Sequence, residues 1–109
     1  MSDTPPITGA EQISDNQQAS RFELAAGGQV AELVYRRRVD RLVLVHTGVP
    51  EALGGHGIGG QLVTAAVHRA AAEGLTVVPL CSYARAWLRR HPDVAASVTI
   101  DWGDQPAGG

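Results

Sequence analysis

Apolar and polar positions alternate through the first half of the folded region and then change period. Residues 21–25 alternate briefly, which predicts a strand, and Gly27-Gly28 marks a tight turn after it. Residues 29–37 alternate clearly, with Ala31, Leu33 and Tyr35 on one face and Glu32 and Arg36 on the other. Arg38-Val39-Asp40 reads as the next turn. Residues 41–47 form the strongest strand signal, placing Leu42, Leu44 and His46 on one face and Val43, Val45 and Thr47 on the other. Both faces are mostly apolar, so this strand is expected inside a sheet, and His46 reads as a core histidine at least as readily as a base. Three strands joined by short turns make an antiparallel meander.

Beyond residue 47 the period lengthens. Residues 48–56 read as loop, with Pro50 opposing any continued strand. Over residues 57–73, Ile58, Leu62, Ala65, Ala66, Val67 and Ala70 recur at spacings of three and four, which describes one face of a helix. Gly74 supplies its stop. Residues 76–80 predict a short buried strand, in which Pro79 removes one N–H. Cys81 or Ser82 caps a second helix over residues 83–90, ended by His91-Pro92, and residues 98–102 suggest a last strand. The strand-helix-strand unit should cross over right-handed and run parallel. The expected class is α+β with a three-layer-like α/β arrangement: a meander plus a β-α-β unit, giving a mixed sheet with two packed helices.

Residues 1–18 and 103–109 lack periodicity and are expected to be disordered tails around one domain, residues 19–102. A chain of 109 residues excludes a TIM barrel and argues against a complete doubly wound dinucleotide fold. A net charge of −2 gives no reason to expect nucleic acid or an anionic membrane as a partner. No apolar run approaches the ~18 residues of a membrane span. One Cys forms no internal disulfide, and without a signal peptide it fits a cytoplasmic location. No cluster has metal-ligand spacing, and no Ser-His-Asp triad is indicated. The oligomeric state is left open.

The densest chemistry lies in Gly54-Gly55-His56-Gly57-Ile58-Gly59-Gly60, directly before the long helix. Unpaired N–H groups and a partial positive charge at a helix start suit a diphosphate, and glycine permits its close approach. A Walker loop is excluded because the chain contains no Lys. Gly55, Gly57 and Gly60 match a dinucleotide fingerprint formally, but several residues separate them from the preceding strand, and Leu80-Cys81 stands where an acidic residue is needed. A glycine-rich turn without a ligand is the third reading.

From Leu42 to Pro92 the chain also resembles the GCN5-related N-acetyltransferases, especially their smallest branch. Gly57, Ile58 and Gly59 fit that family's pyrophosphate loop, while Gly54 stands where Arg or Gln is usual. His46-Thr47-Gly48-Val49 before the loop, Pro79-Leu80-Cys81-Ser82-Tyr83 after the next strand, and Arg90-His91-Pro92 complete the ordered set. The resemblance implies acetyl-CoA as cosubstrate, without a metal, in a cleft between splayed parallel strands at residues 41–47 and 76–80. Thr47, Gly48 and Val49 would pair with pantetheine, and Gly54, Gly55, His56, Gly57, Ile58, Gly59 and Gly60 would surround the pyrophosphate. Ser82 and Arg85 join the cofactor-binding set. Cys81 is implied as the catalytic group, taking the acetyl or protonating the CoA thiolate, and a helix start with Arg85 nearby suits a reactive sulfur. Leu88 replaces the family's usual Tyr acid, which leaves Cys81 or Tyr83, and Gly48 replaces a carboxylate found in many small members. The acceptor is an unidentified amine. A non-catalytic CoA- or acyl-CoA-binding module, or a protein-interaction domain, is the alternative expectation.

Overall fold

The structure, a computed structural model, describes residues 13–103. The expected tails at residues 1–12 and 104–109 lie outside them. Five strands run in the order β1 (Ile13–Asn16), β2 (Arg21–Ala26), β3 (Gln29–Arg37), β4 (Arg41–Gly48) and β5 (Thr76–Pro79), each beside its predecessor. The first four are antiparallel, and β5 runs parallel to β4. Gly27 and Gly28 take positive φ angles of 58° and 79°, the conformation a two-residue hairpin needs. Between β4 and β5 lies α1 (Ile58–Glu73), begun at Gly57 and stopped at Gly74, both left-handed with φ 70°. Then come α2 (Ser82–Arg90) and a short α3 (Pro92–Ala95).

The sheet has one buried face. Phe22, Leu24, Ala31, Leu33, Tyr35, Leu42 and Leu44 lie on it and form one core with α1 and α2. Val77 and Pro79, paired with Leu42 and Leu44, extend that face across β5. The opposite face carries Arg21, Glu23, Glu32 and Arg36 and is partly exposed. The helices α1 and α2 pack on this face. The α+β class and the mixed sheet with its packed helices are present.

Three differences from the sequence reading have physical causes. Ile13–Asn16, inside the expected tail, forms a strand paired with β2. Its Asp15 accepts a 2.5 Å hydrogen bond from the Tyr35 hydroxyl and pairs at 3.0 Å with Arg69 of α1, whose side chain is only 13% exposed. A four-residue strand held by polar contacts leaves no apolar period to read. At the other end, residues 98–102 form only an isolated bridge: Val77 N–H donates to Thr99 O, and Asp101 N–H donates to Val77 O.

The third difference lies in β4. Leu33 pairs with Thr47 and Val34 with His46, but Tyr35 pairs with Leu44, so Val45 is an additional residue on β4. Beyond this bulge the alternation inverts. Thr47 joins the buried face beside Leu33, and His46 is turned out and exposed. The expected core histidine is thus corrected.

Ion pairs fasten the end of the sheet away from the glycine loop. Arg69 and Arg37 both reach Glu73, and Arg41 pairs with Asp101. The Arg69 hydrogen bond holds the Glu73 carboxyl below its ordinary range, and the Arg41 hydrogen bond, with the Gly103 amide, does so for Asp101. Burial, aided by the Asp15 hydrogen bond, pushes the Tyr35 phenol up.

Two outcomes follow. Asp15→Ala removes the acceptor of the Tyr35 hydroxyl and one of the carboxylate partners of Arg69, and is expected to destabilise by about 1–3 kcal/mol in urea titration. Folded carboxyls below their unfolded values stabilise above the unfolded range, roughly pH 4, and lose that contribution as pH falls through the folded value. The stability gap between wild type and Glu73→Gln should therefore be present at pH 7 and close on acidification, as followed by circular dichroism.

Candidate functional site

The parallel pairing of β4 and β5 stops abruptly. Leu44 pairs with Pro79, and the Leu44 carbonyl then accepts both the Leu80 amide at 3.0 Å and the Cys81 amide at 2.9 Å. Past this point the chain turns into α2, while β4 continues to Gly48. Residues 45–48 have no strand beside them on the β5 side among the described residues. Strand edges with free amides and carbonyls accept an extended partner.

A cleft of about 330 Å³ opens at the end of β4. Thr47 and Val49 supply one wall, Gly54, Gly55, Gly57 and Gly59 the loop side, and Leu53, Ile58 and Tyr83 the rest. Leu53 is held by a single 3-10 turn, Glu51–Leu53, begun at Pro50. The wall is apolar, with Tyr83 the only ionisable side chain among the lining residues.

The glycines divide by task. Gly55 and Gly57 have φ angles of 84° and 70°, and a Cβ on either would meet nothing within 4 Å. They shape an open turn into α1. Gly54 is extended and donates to the Glu51 carbonyl, and a Cβ there would come within 3.2 Å of that oxygen. Gly59 and Gly60 lie inside the first turn of α1 and face α2. A Cβ on Gly59 would stand 2.6 Å from the Tyr83 hydroxyl oxygen, and one on Gly60 2.3 Å from Trp87 Nε1. These two admit aromatic rings from the second helix, a packing demand that the sequence reading assigned to phosphate. No side chain caps the start of α1, and its first turn holds no acidic residue, so its positive end remains directed at the loop.

Cys81 sits between the two elements. It occupies the position before α2, is 9% exposed, and its Sγ lies 3.3 Å from Thr47 Oγ1. The inversion in β4 makes this contact possible. Of the other sequence candidates, Gly48 ends β4, Ser82 opens α2 and is exposed, and His56 is exposed in the loop turn. Arg85 is turned elsewhere, with its guanidinium 6.0 Å from the centre of the Trp102 ring. Trp87 stacks on His91 at 3.8 Å, as part of the helix packing.

The sequence profile of the GCN5-related N-acetyl-transferase family matches residues 21–98, more than two-thirds of the chain. The chain belongs to that family. A GCN5-like protein of Staphylococcus aureus, solved by solution NMR and described as a candidate N-acetyltransferase, is similar at 26% identity and a TM-score of 0.62. The match covers 86% of this chain and 94% of that one. No curated protein matches. Family membership and this neighbour support an acetyltransferase-like function. Among the described residues no group of three or more His, Cys, Asp or Glu side chains is placed to hold a metal ion, and no helix is long and apolar enough to cross a membrane.

Because Gly60 faces Trp87 so closely, Gly60→Ala in this GCN5-related N-acetyltransferase is expected to cost about 1–3 kcal/mol by overpacking. Shrinking the ring should recover part of that cost. A thermal-melt cycle with Trp87→Leu is expected to show the double variant less destabilised than the sum of the two single ones.

Proposed function

We propose that the protein binds acetyl-CoA in the cleft beside β4 and transfers the acetyl group to an amine. The observation that carries this reading is the free β5-side edge of residues 45–48, ending at a glycine loop that leads into an uncapped helix start. The backbone of Thr47, Gly48 and Val49 is offered to the pantetheine amides as strand addition. Val49, Leu53 and Ile58 give the pantetheine an apolar wall. The open turn at Gly55 and Gly57 leaves room for a pyrophosphate before the amides of Ile58, Gly59 and Gly60. The residues present therefore fit the cosubstrate, and the cleft volume falls within the range of ligand pockets, about 300–1,000 Å³.

When bound, acetyl-CoA supplies an acetyl thioester. Cys81 and Thr47 meet at the inner side of the strand that would hold it. We assign Cys81 as the thiol that either takes the acetyl group or protonates the departing CoA sulfur, with Thr47 orienting it. Tyr83, at the cleft wall, is the second hydroxyl able to act as the acid. Ser82 and Arg85 stay in the cofactor set as peripheral members.

A non-catalytic CoA-binding module is the second reading. It draws on the apolar character of the cleft wall, which offers no carboxylate base.

A thermal-shift series with acetyl-CoA, CoA and NAD tests the ligand. Both CoA compounds should raise the melting temperature, with a stabilisation of about 2.7 kcal/mol at a hundredfold excess over Kd, and NAD should not. A rise with NAD alone overturns the reading. Acetyl transfer to a panel of amines then separates the two readings. Turnover that falls at least tenfold in Cys81→Ala, with the CoA shift retained, supports the catalytic thiol, and a CoA shift without any transfer selects the binding module.

A further inference from the structure

Among the described residues, the exposed large apolar side chains are Val30, Val39, Val49, Leu80 and Tyr83, and the last three surround the end of the β4–β5 ladder. Val49 and Tyr83 belong to the cleft wall, but Leu80 does not line the cleft and is 61% exposed. Burial alternates through its segment. Val77, Pro79 and Cys81 are buried, Val78 is half-buried, and Leu80 is exposed. Leu80 therefore stands on the outer side of the sheet, across the chain from Cys81, although the amides of both bind the Leu44 carbonyl. Next to it on that face, Val78 pairs with Val43, and both are half-buried while the helices pack on the opposite face. Val43, Val78 and Leu80 thus form an apolar strip that ends at the gap past Leu44.

The charged side chains around this strip cancel. Arg21 binds Glu23 and Glu32, Arg41 binds Asp101, and Arg36 is exposed on β3 beside Val43. Three guanidiniums, of Arg21, Arg36 and Arg41, thereby stand against the carboxylates of Glu23, Glu32 and Asp101. In the β3–β4 turn Arg38 and Asp40 offset each other. The face offers a visiting molecule hydrocarbon contact and no preferred sign of charge.

We propose that the acceptor is an amine carried on a hydrocarbon body, and that Leu80, with Val78 and Val43, seats that body. This rests on the acetyl transfer proposed above. On its inner side the gap is bordered by Thr47 and Cys81, and the adjoining cleft is the place assigned to acetyl-CoA. A second substrate reaches the same point from the outer side, where Leu80 is the first side chain past the ladder. In the transfer the amine nitrogen bonds to the acetyl carbon, the carbon–sulfur bond breaks with its electron pair on sulfur, and one amine proton ends on that sulfur. The products are an amide and a free thiol. Leu80 touches only the part of the amine that does not react, so it acts through binding of the acceptor. Each methylene taken fully out of water contributes a factor of about four in affinity, and an open strip supplies part of that.

The test assays acetyl transfer from acetyl-CoA to propylamine, hexylamine and hexamethylenediamine. These share one kind of primary amine and differ in hydrocarbon length and in a second, distal charge. Wild type should use hexylamine with a kcat/KM about tenfold above that for propylamine or for the diamine, the difference lying in KM. Leu80→Gln should remove this preference, losing about tenfold with hexylamine and little with propylamine, and Leu80→Met should retain it. Since Leu80 is mostly in solvent, the melting temperature and the CoA-induced shift should be unchanged in both variants. Titrating hexylamine into CoA-loaded, isotope-labelled protein should move the amide signals of Val43, Val78 and Leu80. Equal kcat/KM for hexylamine in wild type and Leu80→Gln overturns this inference and leaves acetyl transfer standing. So does a dimer that Leu80→Gln converts to monomer with the amine preferences unaltered, which assigns the strip to a second copy of the chain. A wild type that transfers acetyl to none of the three amines overturns both.

Discussion

The Leu44 carbonyl accepts two amides, from Leu80 and Cys81, and the working end of the molecule depends on that doubled bond. It closes the β4–β5 pairing, and Pro79, opposite Leu44, has no N–H with which to extend the strand. It also turns the chain at once into α2, which brings Cys81 against β4. The edge left free beyond it is paired backbone on one side and open on the other. A strand that stayed paired to Gly48 would cover the edge beside the cleft. The cleft is thus produced by ending a sheet ladder early, with the hydrophobic core intact beneath it.

The helices hold this arrangement through two glycines. Gly59 and Gly60 let Tyr83 and Trp87 lie against the first turn of α1. The start of α1 and the start of α2 are consequently fixed to each other, and with them the glycine loop and Cys81. Far from the cleft, Asp15, Tyr35, Arg69 and Glu73 tie β1, β3 and α1 together. The Arg37 and Arg41 ion pairs hold the end of the sheet away from the open backbone, and Arg21 with Glu23 and Glu32 lies beside Gly48 on the outer face.

Much of this was legible in the sequence wherever a face repeats. Leu33 and Tyr35, Leu42 and Leu44, and the α1 series from Ile58 to Ala70 each announce one buried side through their period. Gly27-Gly28 and Gly74 name their turns through the positive φ that only glycine takes easily. The glycine loop and Cys81 stood out through the ordered resemblance; Gly54, Gly55, Gly57 and Gly59 line the cleft, Cys81 touches its Thr47, and Arg85 lies beside Trp102. What escaped was whatever periodicity does not encode. β1 is too short and too polar to show a period, and its partner contacts lie 20 and 54 residues away. The last expected strand lacks a neighbour over its length and is reduced to a bridge at Ile100. The roles of Gly59 and Gly60 depend on rings more than 20 residues further along the chain.

The bulge at Val45 is of another kind, because it alters counting. Strict alternation from Leu44 would put His46 inside and Thr47 outside, and the additional residue exchanges them. The two faces of the cleft thus owe their different chemistry to which residue of β4 is left without a partner. Pairing Val45 in register with Val34 would bury the imidazole, expose the threonine and withdraw it from Cys81, even with every side chain unchanged. The register of this segment is in that sense a more stringent inheritance than its composition.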